Sequence, residues 1–239
     1  MSNIILLMNL FVWGGFRWQD PNIYACAATA AQDMLNFIGL HDNGGDGFAW
    51  TLNTSGSMRD YLLYWARVHD TLPGGHGTDP HGWRNLLNFF GWGPDAVWAG
   101  PNRVYEDQAY GTFEGAMYAT VRALVKTGKP VGLLGRAGGH ALMVTGYYGL
   151  SGDPFAKDAA GNYTNTFTLS GFYVTDPLGS AKIVSRAVPW YTLKFSGDSR
   201  IRFQPYYQTD STLDDPYTPG VKPAVDEWYR RFVVIMPTR

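Results

Sequence analysis

One cysteine, Cys26, stands in a chain of 239 residues. An internal disulfide is therefore impossible, and stability has to come from packing. The lone thiol is either a small buried hydrophobe or a reagent. Charge is also sparse: Asp, Glu, Lys and Arg make up 16% of the residues, and the formal net charge is -1. Because the basic residues are scattered singly among acidic ones, there is no stripe to follow a nucleic-acid backbone and no polybasic run for an anionic lipid surface. Long apolar runs are missing too. Met1 to Val12 contains Ile4-Ile5-Leu6-Leu7-Met8, which is too short to span a bilayer and lacks a basic flank or a clear cleavage site, so it reads as a first strand or packed arm. No internal repeat or low-complexity linker is visible. The expected partner is a peptide or another amide-bearing molecule, with no nucleic acid and no membrane span.

Aromatic residues, Gly and Asn are plentiful. That balance, with few charges, leans towards an extracytoplasmic protein on composition alone. The length suits one unit, 1–239, with a helical lobe over about 16–128 and a β lobe over about 129–239. From Cys26 to Ile38 an alanine-rich run with Met34, Leu35, Phe37 and Ile38 predicts a buried helix beginning at the cysteine, after the turn chemistry of Gln19-Asp20-Pro21-Asn22. Ser57 is the expected cap of a second helix. Asp79, followed by Pro80, is expected to cap a third, and Thr112 a fourth that ends at Gly128. Pro130 to Leu134, Ala141 to Tyr148, Thr166 to Thr175, Ala181 to Val188 and Phe232 to Met236 read as strands. Gln208 to Val225 reads as a long surface loop. Helices followed by strands predict an α+β fold with a helical lobe packed on an antiparallel sheet.

The chemistry is expected at three separated points. A thiol attacks as thiolate, and the positive end of a helix dipole at Cys26 lowers its pKa. Of the five histidines, His140 is best placed to act as base, since it opens an apolar strand after Arg136-Ala137-Gly138-Gly139. In that approach Gly138 and Gly139 allow close approach of a substrate backbone. Asp176 ends the strand Phe172 to Thr175 just before Pro177, where it could hold the imidazole. Trp92 and Trp98, beside glycines, are the candidates for a substrate groove. His69, His76, Asp79 and His81 offer no fixed metal-ligand spacing, so they read as loop histidines and an N-cap, and no metal or cofactor is expected.

Three stretches resemble the papain-like cysteine peptidase superfamily, in particular its C39-like, bacteriocin-processing branch. They are Gln19 through Cys26-Ala27-Ala28-Thr29-Ala30-Ala31; Gly128-Lys129-Pro130-Val131 with Gly139-His140-Ala141-Leu142-Met143-Val144-Thr145-Gly146-Tyr147; and Tyr173-Val174-Thr175-Asp176-Pro177-Leu178-Gly179. Ala27-Ala28 stands where that branch commonly has Gly-Pro, and Gln19 lies one residue further from the cysteine than its usual spacing. The resemblance implies a papain-like fold and a thiol hydrolase that cleaves peptide or amide bonds. It also implies that Gln19 is an oxyanion donor beside Cys26, His140 and Asp176, with Asn22 an alternative donor. The same triad serves amidases and acyltransferases acting on small molecules or cell-wall peptides. A silent binding module of the same fold is the reading from outside enzymes.

Overall fold

The computed structural model describes residues 3–6, 22–41, 47–71, 77–97, 102–178, 186–198, 201–207 and 227–239. Among these residues four helices, α1 (Cys26–His41), α2 (Gly56–Val68), α3 (Pro80–Trp92) and α4 (Phe113–Thr127), accompany seven strands. The strands are β1 (Asn3–Leu6), β2 (Tyr105–Tyr110), β3 (Val131–Gly135), β4 (His140–Leu150), β5 (Gly171–Thr175), β6 (Arg186–Pro189) and β7 (Phe232–Pro237). They form one antiparallel sheet in the order β2-β7-β3-β4-β5-β6, with β1 pairing against the far half of β4. The expected α+β class, with helices packed on an antiparallel sheet, is what this arrangement shows. Among the described residues, no helix is long and apolar enough to cross a membrane.

Strand alternation divides the interior into two layers. Ala141 and Met143 of β4 and Val233 and Ile235 of β7 face a core shared with α1, α2 and α3. Their neighbours Leu142, Val144, Phe232 and Val234 face the opposite way, onto α4. The sheet is therefore covered on both faces, and β2 joins it from within the stretch read as the helical lobe. The sequence gives β2 little apolar alternation, because Glu106, Asp107 and Gln108 interrupt it. A pairing register with β7 running from Tyr105↔Pro237 to Tyr110↔Phe232 holds it in place instead.

Helix α1 is buried on every side from Ala27 to Ile38. Alanines at 27, 28, 30 and 31 keep it slim enough to lie close on the sheet, and its polar residues need partners because unpaired buried groups are costly. Those partners come from the 47–55 segment. Asn36 accepts from Trp50 Nε1 at 2.8 Å and from the Asn53 N–H at 2.9 Å, and it donates to Asn53 O at 2.8 Å. Gln32 Nε2 reaches Asn53 O and Ser55 O. A loop without regular structure is thus fixed to the central helix by side-chain amides.

Helix ends follow local chemistry. Asp79 caps α3 by accepting from the Gly82 N–H, Thr112 caps α4 by accepting from Gly115, and Gly128 closes α4 in the left-handed region. The second helix differs from expectation. Ser55 caps it, with extended backbone and an acceptor bond from the Met58 N–H, while Ser57 lies inside the first turn. The strand expected from Thr166 begins only at Gly171, since its partner β4 ends at Leu150 and only an isolated Ser151↔Thr168 bridge lies beyond. Of Ala181 to Val188, the described part from Arg186 is strand, and the Gln208 to Val225 stretch lies outside the described residues. Gly132 is required by close packing: a Cβ there would meet the Trp83 ring at 2.8 Å.

Replacing Asn36 with Leu strands the Trp50 and Asn53 groups in the interior. We expect a loss of about 2–4 kcal/mol, read from urea unfolding; a change below about 0.5 kcal/mol would show that the loop is held by other means.

Candidate functional site

The antiparallel pairing of β4 and β5 puts the start of one beside the end of the other, with Met143 opposite Thr175. His140 opens β4 and Asp176 follows β5, so residues 36 apart in sequence meet: Asp176 Oδ1 lies 2.7 Å from His140 Nε2. Both are buried, His140 at 3% exposure and Asp176 at 1%. A second donor, the Leu178 N–H at 2.8 Å, fixes the same carboxylate oxygen. The other oxygen, Oδ2, is buried with no hydrogen-bond partner. Nothing but the imidazole answers this carboxylate with a full charge at hydrogen-bond range among the described residues.

With Nε2 engaged by Asp176, the imidazole also interacts with the Cys26 thiol. Burial pushes the thiol pKa up. The His140 hydrogen bond and charge oppose it, together with the backbone N–H groups of Ala141 and Ala27, and the balance falls below the ordinary thiol value. The Ala27 N–H belongs to the first turn of α1, where backbone donors have no intrahelical acceptor. On the imidazole, burial acts downward, but the Asp176 and Cys26 hydrogen bonds and their charges outweigh it and raise the pKa to about 9. Both shifts act in the direction that favours a thiolate beside an imidazolium over the neutral pair.

The turn before His140 is unusual in its backbone. Arg136 and Ala137, neither of them glycine, have φ of 51° and 55°, followed by Gly138 at 93°. Such conformations cost on the order of 1 kcal/mol or more each and persist only where the surroundings impose them. Here a neighbouring segment does so: Arg136 donates to Arg202 O, and Tyr207 donates to Ala137 O. Gly138 rests on the Tyr206 ring, which a Cβ would meet at 2.4 Å. Its role is close packing within the turn, while Gly139 is exposed beside His140.

Other expected site residues fall elsewhere. Trp92 is partly buried, edge-on to Phe48 with ring centroids 5.2 Å apart, and packs against the core beneath α1 to α3; its size serves packing there. Asn22 is not turned to the thiol, since its amide donates to Asp60 Oδ1 at 3.2 Å and its oxygen accepts the Tyr24 N–H. Gln19, Trp98 and His76 lie outside the described residues. His69 stacks on Trp65 at 3.8 Å, and Asp79 is the α3 cap.

Sequence reading missed one acidic group around a histidine. Donor atoms of His81, Asp107 and Glu227 lie within 4.8 Å of one another. Arg84 already sits 2.7 Å from Asp107 Oδ1, and Trp228 Nε1 donates to Oδ2. His81 Nε2 lies 3.5 Å from Asp107 Oδ2 and 3.7 Å from Glu227 Oε2, so the group forms a charged network tying α3 to β2. The Ala141 and Leu178 backbone donors were also missed. Only the Asp-Pro turn hinted at the second, and nothing in the sequence marks the first.

The chain matches no protein-family model, no curated protein and no solved structure.

Alkylation of Cys26 by iodoacetamide should proceed at about pH 7 as for a thiolate, and His140→Ala should move its onset up towards that of a free thiol, near pH ~8.5. Equal profiles in the two proteins would refute the pair. Because the folded-state pKa of His140 is raised, the stability it contributes is complete below the ordinary imidazole range and fades as pH rises through about 9. Thermal unfolding between neutral pH and beyond that value should show the fall in the parent and a flatter profile in Asp176→Asn.

Proposed function

We propose that the protein is a thiol hydrolase of the papain-like type, cleaving peptide or amide bonds through an acyl-enzyme at Cys26. The observation that carries this reading is the buried Asp176–His140 hydrogen bond beside the Cys26 thiol, drawn from a strand end, a strand start and a helix N-terminus. A packing role would account for any one of these residues. It would not account for a buried carboxylate, an imidazole raised to about 9 and a thiol lowered against its burial, all in contact. The resemblance to the C39-like branch points the same way.

In this mechanism the Cys26 thiolate attacks the amide carbon, and the carbonyl π electrons move to oxygen. The Cys26 backbone N–H, free of any intrahelical acceptor, is one donor to that oxyanion, and Gln19 is assigned as the second. His140 gives its Nδ1 proton to the departing amine as the C–N bond breaks, leaving a thioester. It then takes a proton from water, whose oxygen attacks the thioester, and the thiolate leaves as the acid forms. Asp176 keeps the imidazole oriented and stabilises its charged form throughout. Gly139, exposed next to His140, leaves room for an extended substrate backbone.

A mixture of peptide amides incubated with the protein and quenched in acid should yield Cys26 carrying an acyl mass, and free acid should accumulate. Cys26→Ala should abolish both, and Asp176→Ala should lower turnover by about 10²-fold or more. Release of a new amide when an amine is supplied, with no acid in water alone, would replace hydrolysis by acyl transfer. A Cys26 that never acylates and does not alkylate at neutral pH would overturn the reading.

A further inference from the structure

Helix α4 lies on the sheet face turned away from Cys26, and a cavity of about 520 Å³ opens between it, the end of β7 and the 153–165 segment. This volume is in the range of small-molecule sites. Ala119 and Ala123, one turn apart on α4, leave its floor open, and Tyr118, Phe155 and Tyr163 supply aromatic walls. Two cations enter it from the same helix face, Arg122 and Lys126.

The bonding of these cations is one-sided. Arg122 Nε donates to Pro154 O at 2.6 Å, another of its nitrogens donates to Asn165 Oδ1, and its guanidinium lies 3.9 Å above the Tyr163 ring. Lys126 Nζ donates to Thr238 O at 2.7 Å. All of these acceptors are neutral, and among the described residues neither cation has a carboxylate partner. The cavity therefore holds two positive charges that the protein solvates but does not neutralise. Burial accordingly pushes the Arg122 pKa down, with only tyrosines acting against it. The site is also rigidly framed: the Asp158 carboxylate accepts the Ala160 and Asn162 N–H groups, and Thr164 donates back to Ala156 O, which closes the 156–164 turn that presents Tyr163.

We propose that this cavity binds a small ligand with a flat aromatic body and an acidic head. The ring would lie among Tyr118, Phe155 and Tyr163 over the alanine floor, and the acid would be held by Lys126 and the remaining Arg122 donors. Neither the thiol chemistry nor its failure bears on this site, since it stands on the opposite face of the sheet.

Calorimetric titration of the full chain with naphthoate, and with the uncharged naphthyl methanol as comparison, tests it. Naphthoate should bind one to one, with the alcohol about tenfold weaker or more. Lys126→Met, which keeps the aliphatic stem, should cost naphthoate about tenfold and leave the alcohol unchanged. Ala119→Phe, which fills the floor, should abolish binding of both. A cooperative urea-unfolding transition with the parent's midpoint in each variant shows that the fold is intact. Absence of naphthoate binding by the folded parent, equal affinity for acid and alcohol, or indifference to both substitutions would each overturn the proposal.

Discussion

Burial of α1 on all sides is the constraint from which the rest of the architecture follows. A helix buried on every side must be narrow where it meets the sheet, which the four alanines provide, and its Gln32 and Asn36 amides must find partners, which the 47–55 loop provides. A fully enclosed helix cannot rotate or slide without breaking that set of bonds. Its N-terminus is therefore a fixed point, and Cys26 is delivered to the start of β4 with the Ala141 and Ala27 N–H groups directed at the sulfur. The positive end of the helix and the two backbone donors lower the cost of a thiolate, against the burial that raises it.

The Asp176–His140 bond depends on the same frame. Both residues are almost wholly enclosed, and an isolated carboxylate in such a place would take up a proton. It is stabilised by the imidazolium at one oxygen and by a single backbone N–H, while its other oxygen is left without a partner. Together with the Cys26 thiol, this carboxylate raises the pKa of His140 against the effect of burial. The strained turn at Arg136 and Ala137 belongs to the same arrangement. Gly135 and His140 pair across β3 and β4, so the residues between them must reverse the chain within a short span against Tyr206.

Much of this was legible in the residues. Alanine richness and apolar spacing marked α1, Asp79-Pro80 marked the start of α3, and Thr112 and Gly128 marked both ends of α4, because capping is a contact between near neighbours. The order Cys26, His140, Asp176 and their places at element ends could be read for the same reason. Less could be read where contacts are remote. Trp92 looked like a groove residue from its flanking glycines but packs on Phe48, a residue of a different loop. The polar strand β2 has no alternation to announce it, and its place was set by β7, whose sequence lies more than a hundred residues away.

The sequence by itself determined most of the helices and strands, where most helices begin and end, and which side chains have intrinsic reactivity. These depend on backbone propensity, on capping and on the intrinsic reactivity of a thiol, an imidazole and a carboxylate. Only the tertiary structure decided that α4 covers the far face of the sheet, that Asp176 binds His140 Nε2, and that His81 joins Arg84 and Asp107 in a charged network. The physical reason is that protonation and charge pairing respond to distance and burial at the ångström scale. Those are properties of segments brought together from across the chain, and no local pattern of residues carries them.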